Sequence, residues 1–248
     1  MLGADSALKA KDRIGYLPEE RGVYRKMPVA AFLQHMAILK GVRRDQSKAR
    51  VVDWLGRVGL PEVGRKKCEE LSKGMQQKIQ FIAAVIHDPE LLILDEPFSG
   101  LDPVNMRLVR DLILDQHRRG TTVLFSTHVM HQAEQLCEHI VMLHDGRKVL
   151  DDTLDTIRAR YAPRALRMEP LAADTDVAGA LSGLSCVATL ERTDDYYRIN
   201  LNEGARLDEA IQAVAARIAP SRLELLRPSL EDIFIDIVSH GAQQEATT

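Results

Sequence analysis

The sequence predicts an α/β domain with a parallel sheet and a helical insertion, followed by a small α+β domain, on three observations. Leu91-Leu92-Ile93-Leu94 is a run of large aliphatics, which is how a strand buried on both faces of a parallel sheet reads. From Leu91 to Leu143 strand and helix patterns alternate, as in layered α/β architectures. From Ala165 to Leu226 the order is strand, helix, strand, strand, helix, strand, which suggests a ferredoxin-like unit.

Each element follows from its local pattern. Ile14 to Leu17 is a short apolar run stopped by Pro18 and reads as a strand end. After Pro28, Val29, Phe32, Leu33, Met36 and Leu39 recur at helical spacing, and Gly41 ends the pattern. A second helix covers Ser47 to Val58, with Gly59 as its stop. Pro61 to Glu70 is polar and reads as loop. Ser72 can cap a third helix whose apolar face is Met75, Ile79, Ile82, Ala83 and Ile86, closed by Pro89. These three helices form the insertion, at about residues 28–88.

Val104 to His117 is helical, Thr121 to Phe125 is a β-branched strand, and Met130 to Cys137 is helical. Ile140 to Leu143 and Lys148 to Leu150 flank an Asp145-Gly146 hairpin turn. Composition shifts near Tyr161, so residues 1–160 are expected as one domain and 161–240 as a second. The second carries a turn at Thr193-Asp194-Asp195 and a last helix capped by Ser229, with Leu230, Ile233, Phe234 and Ile237 inward. Residues 241–248 are expected to be a disordered tail.

Composition narrows the function classes. Net charge is −3 and aromatics are 4% of the 248 residues, so there is no basic stripe for nucleic acid. The cysteines Cys68, Cys137 and Cys186 are scattered, with no CxxC pair, which argues against a disulfide framework or zinc site and fits a reducing compartment. No apolar stretch approaches the ~20 residues of a membrane-spanning helix. Met1 to Asp12 lacks the apolar core of a signal peptide. Membrane association is therefore expected through a partner.

The chemistry concentrates after Leu94. Asp95 and Glu96 end the buried strand, and ligands of open α/β sheets sit at the carboxyl ends of strands. An Asp there suits the water shell of Mg²⁺, and a neighbouring carboxylate can orient an attacking water. Ser99-Gly100-Leu101-Asp102-Pro103 is a tight turn ending in another acid. Leu71-Ser72-Lys73-Gly74-Met75 is a small-residue turn opening a helix, and a helix start suits a phosphate. Ser126-Thr127-His128 closes a strand and brings an imidazole to the sheet edge. Taken singly, Asp95 and Glu96 also read as solvated strand-end acids, Ser72 as a helix cap and His128 as a structural histidine.

In this order and spacing the residues resemble the motif set of ABC (ATP-binding cassette) ATPases, from about Ile14 to Leu150. Leu91 to Glu96 is similar to the Walker B strand, which would make Asp95 the magnesium-associated Asp and Glu96 the catalytic Glu. Leu71 to Met75 resembles the signature, implying nucleotide contact by Ser72, Lys73, Gly74 and Met75. Ser99 to Asp102 resembles the D-loop, adding Asp102, and His128 the switch histidine. Ile14 to Glu19 resembles the segment reaching the Q-loop, which places Glu19 near the metal. Arg227 to Phe234 resembles the tail of exporter-type ATPases that carry an extra C-terminal domain packing on or regulating the cassette dimer.

The resemblance implies an incomplete P-loop-NTPase-like cassette that binds ATP and Mg²⁺. It also implies a second cassette in a head-to-tail dimer, a membrane permease partner touching Met27 to Gly41, and a place on the inner face of the membrane. Three departures stand out. Glu19 occupies the usual Gln position, as in a subgroup of drug- or sodium-efflux ATPases, and Lys73 and Met75 replace Gly and Gln of the signature. Lastly, the phosphate-cradling string G-x-x-x-x-G-K-[ST] occurs nowhere in the chain, and the residues before Ile14 hold a single glycine, Gly3. The expectation is a chain truncated at its N-terminus through a late start codon, a gene fragment or a pseudogene. The alternative is a catalytically incompetent partner that lends its signature to an intact cassette.

Overall fold

The computed structural model describes residues 2–3, 10–20, 22–161, 164–172, 174–193 and 195–245. Arg21, the turn residue Asp194 and residues 246–248 of the expected tail lie outside the described residues. Contacts group the chain into two compact units, Met1–Leu136 and Cys137–Thr248.

The first unit is built on a parallel sheet of β1 (Ile14–Leu17), β2 (Leu91–Asp95) and β3 (Thr122–Ser126), in that order. The strands are level: Leu17 pairs with Leu94, and Leu94 with Phe125. Between β1 and β2 lie α1 (Val29–Leu39), α2 (Arg44–Arg57) and α3 (Lys73–Val85), the expected insertion. Helix α4 (Pro103–Arg118) connects β2 to β3, and α5 (Met130–Leu136) follows β3. One core joins these elements, with Phe32, Leu33, Ile79, Phe81, Ile82, Leu92 and Leu94 almost fully buried.

Local chemistry explains the boundaries. Helix α3 starts where Ser72 Oγ accepts the Met75 N–H at 3.3 Å. Helix α4 starts with Pro103, behind Asp102, whose Oδ1 accepts from Val104 N at 3.0 Å and Asn105 N at 2.9 Å. Helix α2 begins at Arg44, earlier than expected, and Ser47 is buried inside it with Oγ donating to the Arg44 carbonyl at 2.9 Å. The segment expected as loop contains two 3₁₀ turns, Pro61–Arg65 and Cys68–Glu70. Val63 and Cys68 are buried there, so the segment is anchored by apolar contacts that its polar composition concealed.

The second unit opens with a hairpin of β4 (His139–His144) and β5 (Arg147–Thr153). Its turn places Asp145 at φ +47° and Gly146 at +73°, as an Asp-Gly hairpin turn requires. Helix α6 (Leu154–Arg160), absent from the sequence reading, is capped by Thr153, whose Oγ1 accepts the Thr156 N–H. Then come β6 (Ala165–Pro170), α7 (Val177–Leu181), β7 (Val187–Arg192), β8 (Tyr197–Leu201), α8 (Leu207–Arg217) and β9 (Pro220–Leu226). The element order is the one read from the sequence. The sheet runs β7-β8-β6-β9 and is antiparallel throughout. Its core is formed by Leu166, Met168, Val177, Leu181, Ile199, Ala210 and Val214.

Contacts divide the chain between 136 and 137, with the β4–β5 hairpin and α6 grouped with the later sheet, whereas the sequence reading divides it between 160 and 161. One expectation is corrected. The last helix, α9 (Leu230–Glu245), passes His240 where a disordered tail was expected to begin. Its final residues Ala242, Gln243, Gln244 and Glu245 are good helix formers.

Two positions generate predictions. At Gly15 in β1 an added Cβ would lie 2.1 Å from the Ala84 carbonyl oxygen and 2.9 Å from Leu92 Cδ1. Backbone and buried strand must both give way, so Gly15→Ala is expected to destabilise the unit by about 1–3 kcal/mol, read as a lowered urea midpoint. At the other position, His87 Nε2 lies 3.3 Å from the Ile14 carbonyl, and Nδ1 is buried without a partner. Burial, with Lys40 nearby, holds its pKa down at about 4, against the opposing Asp88 and Asp12. The unfolded imidazole titrates near ~6.5, so the unfolded chain binds more protons between the two values. The contribution of neutral His87 is complete above about pH 6.5 and is lost as pH falls toward about 4. Urea titrations should show a shallower pH slope for His87→Gln than for the parent across that window.

Candidate functional site

The level ends of β1, β2 and β3 bring chemistry to one edge. Glu19 lies just past β1, Asp95 and Glu96 end β2, and His128 lies just past β3. Because β2 and β3 are parallel and in register, Asp95 pairs directly with Ser126. Ser126 Oγ donates to Asp95 Oδ1 at 2.6 Å and fixes that carboxylate.

Glu96 is the most constrained side chain at the edge. Its backbone is left-handed, at φ +43°, a conformation non-glycine residues adopt only when surroundings enforce it. Its N–H donates to the Ser126 carbonyl at 3.0 Å, which turns the chain off the strand. Its carboxylate is largely covered and receives donors from the β3 end. The His128 backbone N–H donates to Oε1 at 2.7 Å, His128 Nδ1 lies 2.7 Å from the same oxygen, and Thr127 Oγ1 lies 3.2 Å from Oε2. Bonding to a carboxylate requires the proton on Nδ1, so Nε2 is turned outward on a side chain that is 84% exposed. The arrangement holds one carboxylate rigidly beside another, with an imidazole nitrogen presented to solvent.

The Ser72–Met75 turn adjoins the segment after β2. A Cβ on Gly74 would lie 3.4 Å from the Gly100 carbonyl oxygen and 3.5 Å from Leu101 Cδ2, so the two turns are packed together. Ser72 and Lys73 are exposed, while Met75 is partly buried against the core. The Met75 N–H is taken up by the Ser72 cap. Asp102 caps α4, and the Asn105 N–H, the Asn105 side chain and the Val104 N–H hold its carboxyl below the ordinary range. Glu19 is exposed and is held at this edge by its position after β1.

Sequence reasoning singled out Asp95, Glu96 and His128, and the structure brings them together. It missed Thr127 and Ser126 as partners of the two acids, although their hydroxyls directly precede His128. It also missed Gln77, whose buried amide donates to the Pro97 carbonyl at 3.1 Å. Among the described residues no group of three metal-ligating side chains exists. A lone Asp fits Mg²⁺, which keeps most of its waters and takes phosphate oxygens rather than an all-protein cage. No helix among the described residues is long and apolar enough to cross a membrane.

Comparison with known proteins identifies the family. Residues 153–238 match the family "ATP-binding protein DrrA1-3-like, C-terminal domain", and residues 68–130 match an AAA domain family. The chain is 39% identical over 227 residues to YhaQ, an uncharacterized ABC transporter ATP-binding protein of Bacillus subtilis (strain 168), spanning 92% of this chain and 75% of that protein. It is 37% identical over 159 residues to a fluoroquinolones export ATP-binding protein of Mycobacterium tuberculosis (strain CDC 1551 / Oshkosh), spanning 64% and 51%. A solved ATP binding subunit of an ABC transporter superposes with a TM-score of 0.59 at 30% identity, covering 63% of this chain and 65% of that one. With the acids, the imidazole and the helix-start turn on one parallel sheet edge, the chain belongs to the family of ABC transporter ATP-binding proteins.

Proposed function

We propose that the protein binds and hydrolyses ATP to drive an ABC exporter of the drug- or sodium-efflux type. The relative named for fluoroquinolones export supports the drug-efflux side of that reading. Mg²⁺ held on the water side of Asp95 would neutralise phosphate charge. Glu96, clamped by Thr127 and His128, orients the attacking water and takes its proton. His128 presents Nε2 toward the outermost phosphate. Glu19, at the same edge, meets the metal or the water. In a head-to-tail dimer Ser72, Lys73 and the Gly74 backbone of one subunit face the nucleotide on the other. The exposed Lys73 adds positive charge that the usual glycine lacks. The insertion around Met27 to Gly41 meets the permease at the inner membrane face, where the exposed Tyr24 and Leu39 offer apolar contact.

The observation that carries this reading is the Glu96 carboxylate, bonded by the His128 backbone and ring at 2.7 Å beside Asp95. With the protein as it is encoded in its genome, assembled with its permease in vesicles, we expect Mg²⁺-dependent ATP turnover. Glu96→Gln should lower that turnover at least about a hundredfold while leaving nucleotide binding intact. Turnover near the parent rate in that variant would sink the role of Glu96.

A second reading is favoured by one fact: these 248 residues contain no G-x-x-x-x-G-K-[ST] string. The protein would then be a non-hydrolysing partner that completes another cassette's site with its Ser72–Met75 turn. Titration with a fluorescent ATP analogue separates the two. The hydrolytic reading expects saturable binding by the encoded protein alone, whereas the partner reading expects binding only when an intact cassette is added.

A further inference from the structure

The face of α3 behind the Ser72–Met75 turn is unusual for a buried helix. Gln77, Lys78 and Gln80 are 2%, 6% and 5% exposed, yet they stand among Ile79, Phe81 and Ile82. Each donates to a main-chain carbonyl of a different segment. Gln77 Nε2 reaches Pro97 at 3.1 Å, Lys78 Nζ reaches Val58 at 2.9 Å, and Gln80 Nε2 reaches Glu20 at 3.2 Å. Ahead of them, Gln76 Nε2 reaches the carbonyls of Cys68 and Leu71.

Burying an amide or an ammonium is unfavourable unless it is bonded, and even then the net gain is small. Burial lowers the Lys78 pKa, with Asp102 opposing. Gln80 Oε1 is buried with no partner among the described residues. Core stability alone would be served as well by methionine or leucine, so these side chains earn their place by what they hold. The carbonyl held by Gln77 directly follows the left-handed Glu96. The carbonyl held by Gln80 directly follows Glu19. Gln77 and Gln80 are three residues apart and therefore share a face of α3.

We propose that Gln77 and Gln80 are positioning residues, through which α3 holds the Glu96–Pro97 turn and the Glu19–Glu20 segment in fixed relation. Any displacement of the Ser72–Met75 turn, which begins the same helix, then reaches both carboxylates. This proposal rests on the hydrolytic reading above.

The test uses the encoded protein with its permease and the variants Gln77→Met, Gln80→Met and the double. Methionine keeps the volume and removes the donor. For Gln77→Met, kcat should fall about tenfold to a hundredfold with KM for ATP within about twofold, the signature of lost alignment rather than lost binding. Coupling should appear as a double variant that is less impaired than the product of the singles. Hydrogen exchange without nucleotide supplies a readout independent of turnover. In Gln77→Met the Ser99 and Leu101 amides, which bond to the Glu96 and Phe98 carbonyls, should exchange faster while those of Leu92 to Leu94 stay protected. Acceleration of both sets, or of neither, would overturn the proposal, as would an unchanged kcat in an active parent. A parent that is itself silent, like Glu96→Gln, would instead overturn the hydrolytic reading.

Discussion

The site depends on three parallel strands ending level. Side chains alternate faces along a strand, so a slip of one residue between β2 and β3 would send Asp95 and Ser126 to opposite sides. The register is set mainly from one face. Leu17, Leu92 and Leu94 are fully buried there, whereas Tyr16 and Leu124, in the row with Ile93, are 55% and 58% exposed. The buried row therefore does the work of alignment. The acids at the β2 tip inherit their position from it, and the left-handed turn at Glu96 is tolerable because Ser126, Thr127 and His128 arrive level with it.

The departures of the Ser72–Met75 turn from its family pattern are absorbed without altering the helix start. The Ser72 cap bond uses the backbone N–H of Met75, which any residue supplies. The Met75 side chain then packs against the core, and Lys73 points to solvent. At Gly74 an added Cβ would meet the Gly100 carbonyl oxygen at 3.4 Å and Leu101 Cδ2 at 3.5 Å, ordinary packing contact between the two turns.

The legible parts of the fold were those whose signal is local. Four aliphatics announced β2, Ser72 and Asp102 announced two helix starts, and Asp145-Gly146 announced a hairpin. Helix α6 was missed because its cap, Thr153, ends a strand, so the two patterns run together without a break. The 3₁₀ turns before α3 were missed because only Val63 and Cys68 are buried in a polar stretch. At the site, the identities of the acids and the imidazole were readable, but their bonds were not. Glu96 and His128 are far apart in sequence, and only the pairing of β2 with β3 converts that separation into a 2.7 Å contact. The buried glutamines of α3 were equally hidden, since their partners are main-chain carbonyls that leave no mark on the sequence.

The second unit shows the converse, a chemistry-rich sequence whose charges are internally matched. Across its sheet Glu191, Arg198, Arg167 and Glu224 stand side by side in register. Arg167 bonds Glu169 at 2.7 Å and lies over the Tyr196 ring at 4.3 Å, and Arg222 bonds Glu224 at 2.9 Å. Asn200 donates to Thr189 and Glu191. Partly exposed pairs of this kind contribute little to stability individually, so the unit is held by the apolar side of the same sheet, where Leu166, Met168 and Ile199 are fully buried. On the first unit Asp95 receives the Ser126 hydroxyl through Oδ1, the His128 side chain is largely exposed, and Lys73 stands exposed at a helix start.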